Sequence, residues 1–253
     1  MRASTGPGAS AATDAPDSDD LAGSAVEPEA EDDGEFEPDE EAPPVGSRTR
    51  RYGTVALAIA IAVGLLLGFG GGLLVPRLTS PGDDSPEAGF ARDMINHHAQ
   101  AVEMGLIAFQ RGESPDVRQL GVDIATGQQG EIGAMQTWLR LWGLGPTGSQ
   151  PAMAWMPDGA ASLTKDGLMP GMANAAEMQR LRAANGRELD VLFLQFMIRH
   201  HLGGIHMVDA ILAATDDPEV VQAARTMKNT QQNELVNMRA DLTQLGGTTL
   251  PAN

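Results

Sequence analysis

The sequence contains no cysteine, which rules out disulfide frameworks, zinc knuckles and thiol nucleophiles together. Any domain it forms holds together by packing alone. Lysine is nearly missing, Lys165 and Lys228 being the two examples, and positive charge is scarce: 17 basic against 34 acidic side chains, a formal net charge of -17 at pH 7. Most of that excess lies in residues 1–47, where 14 acidic residues face Arg2 alone. Residues 48–253 keep 20 acidic and 16 basic side chains, a net of -4, and so carry no electrostatic footprint for nucleic acid. Histidine is also sparse. All five, His97, His98, His200, His201 and His206, fall in two short windows.

The first 47 residues combine Asp, Glu, Pro, Ala, Ser and Gly with one Phe. They cannot bury enough apolar area to offset chain entropy, and the composition predicts a disordered acidic tail. Residues 53–75, GTVALAIAIAVGLLLGFGGGLLV, follow without a single charge. As a helix this run is about 34 Å long, enough for a hydrocarbon core of about 30 Å, and it predicts one transmembrane helix. Arg48, Arg50 and Arg51 precede it while only Arg77 follows. The positive-inside rule then puts the tail in the cytoplasm and the rest outside the cell membrane. A cleaved signal peptide is the rival reading, but 47 residues ahead of the apolar run is long for one.

Beyond a linker at residues 76–85 the chain repeats itself. FARDMINHHAQAVEM (90–104) matches FLQFMIRHHLGGIHM (193–207) at an offset of 103, with Phe, Met, Ile, His, His and Met coinciding. The offset persists without a gap into PDVRQLGVDIATGQQGEIGAMQTWL (115–139) and PEVVQAARTMKNTQQNELVNMRADL (218–242), where Pro, Val, Gln, a Gln-Gln pair, Glu, Met and Leu recur. Each unit, 90–143 and 193–246, reads as two helices from its apolar spacing, with a Pro fitting the first turn of the second helix and Gly143 or Gly246 as the C-terminal cap. One helix pair cannot cover its own apolar stripe, so the two units are expected to pack as an all-α four-helix bundle over residues 86–246, with a pseudo-twofold axis. The intervening segment 143–172 is rich in Gly and Pro and reads as a loop or lid. A short helix at 173–184 follows, Asn185-Gly186 breaks it, and the third long helix begins near Glu188. Residues 247–253 form a short tail.

At 100° per residue, Phe90, Met94, His97, Ala101 and Met104 share a stripe that His98 borders, and Phe193, Met197, His200, Gly204 and Met207 repeat it. An isolated core histidine would need no functional reading, but here imidazole and thioether share a face twice. His206 points away, where the first copy has Glu103, and is expected at the surface. On the second helices, Glu131 and Glu234 stand where the stripe calls for an apolar residue. A carboxylate there must be paired or coordinated; it either binds a metal or fixes the tautomer of a histidine, and the pattern leaves both open. Met153, Met156, Met169, Met172 and Met178 gather in and just after the loop, where exposed thioethers have little packing reason to exist. They serve as soft ligands or anchor the loop on the bundle. Imidazole with thioether suits copper better than calcium, magnesium or manganese.

These paired FxxxMIxHHxxxxxM stretches and the linking MPGM segment resemble the domain of unknown function 305 family, over residues 86–246. The resemblance implies a ferritin-like four-helix bundle, exported or membrane-anchored, with copper binding or copper tolerance in some members. It points to Met94, His97, His98, Met104, Met197, His200, His201 and Met207, with Met169 and Met172. The expected function is therefore membrane-anchored copper sequestration or delivery, with a copper donor or acceptor protein as partner and no catalytic turnover. A metal-free interaction module is the alternative. A di-iron oxidoreductase ranks lower, since no Glu-x-x-His motif occurs after the apolar run.

Overall fold

A computed structural model describes residues 48–251, so the expected acidic tail at 1–47 and the last two residues lie outside the described part. Helix α1, Arg48–Thr79, contains the apolar run. Within it, residues Gly53–Gly72 are long and apolar enough to cross a membrane. The helix passes Val75, where the hydrophobic run ends, and takes in part of the expected linker. The helix runs on through Pro76, which supplies no backbone N–H, and ends ahead of Pro81, which disfavours helical geometry at Ser80.

Four long helices follow: α2, Pro86–Arg111; α3, Pro115–Leu141; α5, Gly186–Ala214; and α6, Pro218–Gln244, with the short α4, Ala175–Ala183, ahead of α5. No strand occurs among the described residues. The helices form an all-α, ferritin-like four-helix bundle in which α2 pairs with α3, α5 with α6, and α2 packs along α5.

The helix ends repeat as the sequence does. Ser114-Pro115 opens α3 and Asp217-Pro218 opens α6. In each case the side-chain oxygen accepts backbone N–H groups of the first turn while proline fills the position whose N–H has no partner. Gly143 (φ 74°) and Gly246 (φ 65°) end α3 and α6 in the left-handed region. Their N–H groups bond to Arg140 and Thr243, and those of Leu144 and Gly247 to Leu139 and Leu242, the doubled capping pattern that satisfies the last carbonyls. The α4 helix starts in a capping box between Asn174 and Glu177. Helix α5 starts at Gly186, earlier than the periodicity suggests, because Glu113 accepts the Arg187 N–H and satisfies a donor that would otherwise be free.

The linker is more buried than its composition suggests, which corrects the expectation of exposed loop methionines. Met153, Met156, Met169 and Met178 are buried in the core, so packing anchors the loop on the bundle. Asp93 on α2 accepts the Met153 N–H at 2.7 Å and the Trp155 indole N–H at 2.8 Å. Gln100 binds both backbone groups of Ala173, at 2.7 and 2.9 Å. Arg199 holds Glu177 of α4 through two contacts of 2.9 and 2.6 Å.

Helices α2 and α3 approach through Gly105 and Gly121. A Cβ on Gly105 would collide with the Gly121 carbonyl, and one on Gly121 would lie 2.6 Å from the Gly105 carbonyl, whereas a Cβ on Gly127 meets nothing. Gly105→Ala is therefore expected to lower stability by about 1–3 kcal/mol in urea unfolding. Gly127→Ala should raise it by up to about 1 kcal/mol, because the helix gains propensity without a clash. Equal effects at both positions would show that the close approach does not constrain the fold.

Candidate functional site

The buried apolar residues form two clusters. One includes Met104, Ile124, Met197 and Met238; the other includes Met94, Met135, Met207 and Met227. On every long helix the two sets are separated by polar residues: His97 and His98 on α2, Gln128 and Glu131 on α3, His200 and His201 on α5, Gln231 and Glu234 on α6. Because paired helices run antiparallel, these side chains meet as one polar layer across the middle of the bundle. Each repeat contributes four, matched at the offset of 103.

The histidines of the two repeats meet at the centre. The His97 and His200 rings lie 3.8 Å apart with a 34° tilt, and each is 6.4 Å from its neighbour, His98 or His201. All four imidazoles are buried. His98 Nε2 lies 2.7 Å from Glu131 Oε2, and His201 Nε2 lies 2.6 Å from Glu234 Oε2. His200 Nε2 donates to the His97 carbonyl at 3.1 Å, and His97 Nε2 donates to the Pro170 carbonyl at 3.1 Å.

Carbonyls and carboxylates only accept, so these contacts place a proton on Nε2 of every ring, and the neutral rings of His97 and His200 keep a lone pair on Nδ1. The Nδ1 atoms of His97, His98 and His201 are buried with no hydrogen-bond partner among the described residues. Burial holds His97 neutral, pushing its pKa down to about 3 with help from His98 and His201, against the pull of the Pro170 carbonyl. His200 is also pushed well below the ordinary range, first by burial and then by its three histidine neighbours. Neutral rings with free Nδ1 lone pairs are the form that ligates a metal.

The linker covers this layer. A Cβ on Gly203 would collide with the Pro170 backbone, so the segment Met169-Pro170-Gly171-Met172 crosses α5 where a side chain is missing. Its contribution to the layer is the Pro170 carbonyl. Met169 is buried in the cluster of Met94 and Met207, and Met172 packs against the same cluster. Met94 and Met197 lie one helical turn from the histidines, Met104 and Met207 about two. Glu131 and Glu234 reach the layer through His98 and His201. His206 is exposed and borders a groove beside Pro170 and Gly203. Among the described residues no three His, Asp or Glu side chains converge at metal-ligand spacing. The sequence reading passed over Gln128 and Gln231, although the recurring Gln-Gln pair marks them.

The depressed pKa values of His97 and His200 have a thermodynamic consequence. The unfolded chain takes up protons on these residues below about pH 6.5, whereas the folded metal-free chain does not until far lower pH. The stabilisation is complete above about 6.5 and falls on acidification towards the folded values, about 3 for His97, by up to about 1.4 kcal/mol per pH unit for each ring. Urea unfolding at pH 7 and pH 5 should show this loss, and His97→Gln should reduce it. An unchanged midpoint would mean that the rings are charged or hydrated in the native state.

The family model for Domain of unknown function (DUF305) matches residues 87–242. Among solved structures, a DUF305 protein from Streptomyces coelicolor, described as secreted, is 39% identical with a TM-score of 0.62, covering 67% of this chain and 99% of that one. A DUF305 fragment from Deinococcus radiodurans is 32% identical with a TM-score of 0.52, covering 63% and 96%. CopM in its Cu(I)-bound form is 24% identical with a TM-score of 0.49, covering 66% and 100%. No curated protein matches the chain. The matched residues run from the start of α2 to the last turn of α6 and contain the whole polar layer, and the chain belongs to the DUF305 family.

Proposed function

We propose that this chain is a single-pass membrane protein whose bundle, residues 86–246, lies outside the membrane, binds copper at the polar layer, and sequesters it or exchanges it with a donor or acceptor protein. The observation that carries the reading is the set of three buried Nδ1 atoms without hydrogen-bond partners on His97, His98 and His201. A buried acceptor without a donor costs about 1–3 kcal/mol, and a bound cation removes that cost. The donor set fits copper in kind: four imidazoles, with the thioethers of Met94, Met104, Met197 and Met207 on either side of the layer and those of Met169 and Met172 in the linker that covers it. Since no three ionisable donors converge as the layer stands, binding requires side-chain rotation about the His-Glu pairs, with thioethers completing the coordination. Glu131 and Glu234 then fix the rings through Nε2, as carboxylates do for metal-bound histidines.

The second reading, a metal-free interaction module, is favoured by those same His98-Glu131 and His201-Glu234 contacts, which satisfy Nε2 and can serve only to pin the helices. A metal content of zero in protein purified without a metal-binding tag and then exposed to copper would select it.

Loss of one carboxylate partner typically weakens a metal site by about 10–100-fold. Replacing His98 and His201 together by Ala should therefore lower copper affinity by on the order of a hundredfold or more, in competition titrations on the full chain in detergent. The helical circular dichroism should persist, and His206→Ala should change little. Unchanged affinity in the double variant would make the histidines structural. The expected topology is checked on intact cells, where added protease should degrade the bundle and spare the acidic tail; protection of the bundle would reverse the orientation.

A further inference from the structure

Gln128 and Gln231 belong to the polar layer but have no place in the histidine site as described above. They occupy equivalent positions, one turn ahead of Glu131 and Glu234, and are buried to 5% and 3% exposure. Their Oε1 atoms are buried with no hydrogen-bond partner among the described residues. An uncompensated amide oxygen inside an apolar core is destabilising, and here the same defect occurs twice at the same register. With the Nδ1 atoms of His97, His98 and His201, five buried polar atoms of the layer lack a hydrogen-bond partner among the described residues, and the Nε of Arg199, next to His200 in the chain, lacks one too. The two amide oxygens are acceptors that a bound cation would satisfy.

The geometry brings the Gln231 amide of the second repeat near the His97 ring of the first. A Cβ on Gly204 would lie 2.7 Å from Gln231 Oε1 and 3.3 Å from His97 Cε1. The amide of the second repeat and the imidazole of the first therefore border the same spot on α5, and the missing side chain there leaves them room. The first repeat has Ala101 at the equivalent position.

We propose that Gln128 and Gln231 are oxygen ligands of the ion bound in the polar layer. This rests on the copper reading and extends it. Amide carbonyl oxygens are harder donors than thioether or imidazole, so they favour the divalent over the monovalent ion. The layer then serves both: His and Met hold the soft monovalent form, and the glutamines add the oxygens that the divalent form prefers.

The test uses the full chain in detergent, with Cu(II) and Ag(I) salts as probes, Ag(I) standing in for the soft monovalent ion. Gln128→Leu with Gln231→Leu should leave the urea midpoint of the metal-free protein unchanged or higher, since two orphaned acceptors are removed. It should weaken Cu(II) binding by about tenfold or more and Ag(I) binding by less than about threefold. If the leucine variant does not fold, Gln128→Met with Gln231→Met keeps the side-chain length, and selectivity should shift towards Ag(I). A lowered midpoint with unchanged Cu(II) affinity, or equal losses for both ions, would overturn the assignment and make the amides structural. Wild-type protein that binds neither ion would overturn the copper reading and this one together; wild-type binding that the glutamine variants leave untouched would overturn this one alone.

Discussion

An imidazole N–H buried in the middle of a helical bundle must find an acceptor. In this chain that requirement applies four times within one layer, and the surrounding structure meets it by four separate contacts. Two acceptors are carboxylates on the partner helix of each hairpin. The third is the His97 carbonyl on the facing helix. The fourth, Pro170, comes from outside the four long helices, so the linker completes the core as well as joining its halves. Meeting the donor requirement through Nε2 turns every ring the same way, and Nδ1 is the nitrogen left without a partner in His97, His98 and His201. The chemistry of the layer follows from that choice.

The apolar clusters above and below the layer make this arrangement affordable. Each is rich in methionine, an unbranched and polarisable side chain that fills irregular space. In the absence of cysteine the thioethers are also the only sulfur the chain can offer. The same residues thus act as packing material in the metal-free fold and as soft donors in the proposed function, with no separate set needed for each.

Much of this was legible in the sequence because duplication doubles every signal. The offset of 103 identified the helix pairs, the prolines at their starts and the glycines at their ends, and the stripe through Met94, His97 and Met104 put imidazole on the packing face. Glu131 and Glu234 stood out as carboxylates in apolar positions, and both bind a histidine. What escaped was written in backbone contacts or in residues with no strong preference of their own. The Pro170 carbonyl has no sequence signature as an acceptor. Gln128 and Gln231 look like ordinary helix surface until the level of the histidines is known. The loop methionines look exposed because the surrounding Gly and Pro argue for a surface segment, whereas Asp93, Gln100 and Arg199 tie that segment down from side chains on the long helices or on to α4.

The crossing of the linker over α5 divides the labour between the two repeats. Gln100 in the first repeat and Gly203 in the second occupy equivalent positions, yet one clasps the backbone of Ala173 with both ends of its amide while the other must have no side chain at all. The copies are consequently no longer interchangeable. A chain carrying the first helix twice would drive a glutamine into Pro170, and one carrying the second helix twice would lose the clasp. The core keeps the twofold pattern of the sequence, but a single cover crosses a duplicated layer only because the copies differ at the two equivalent positions it meets.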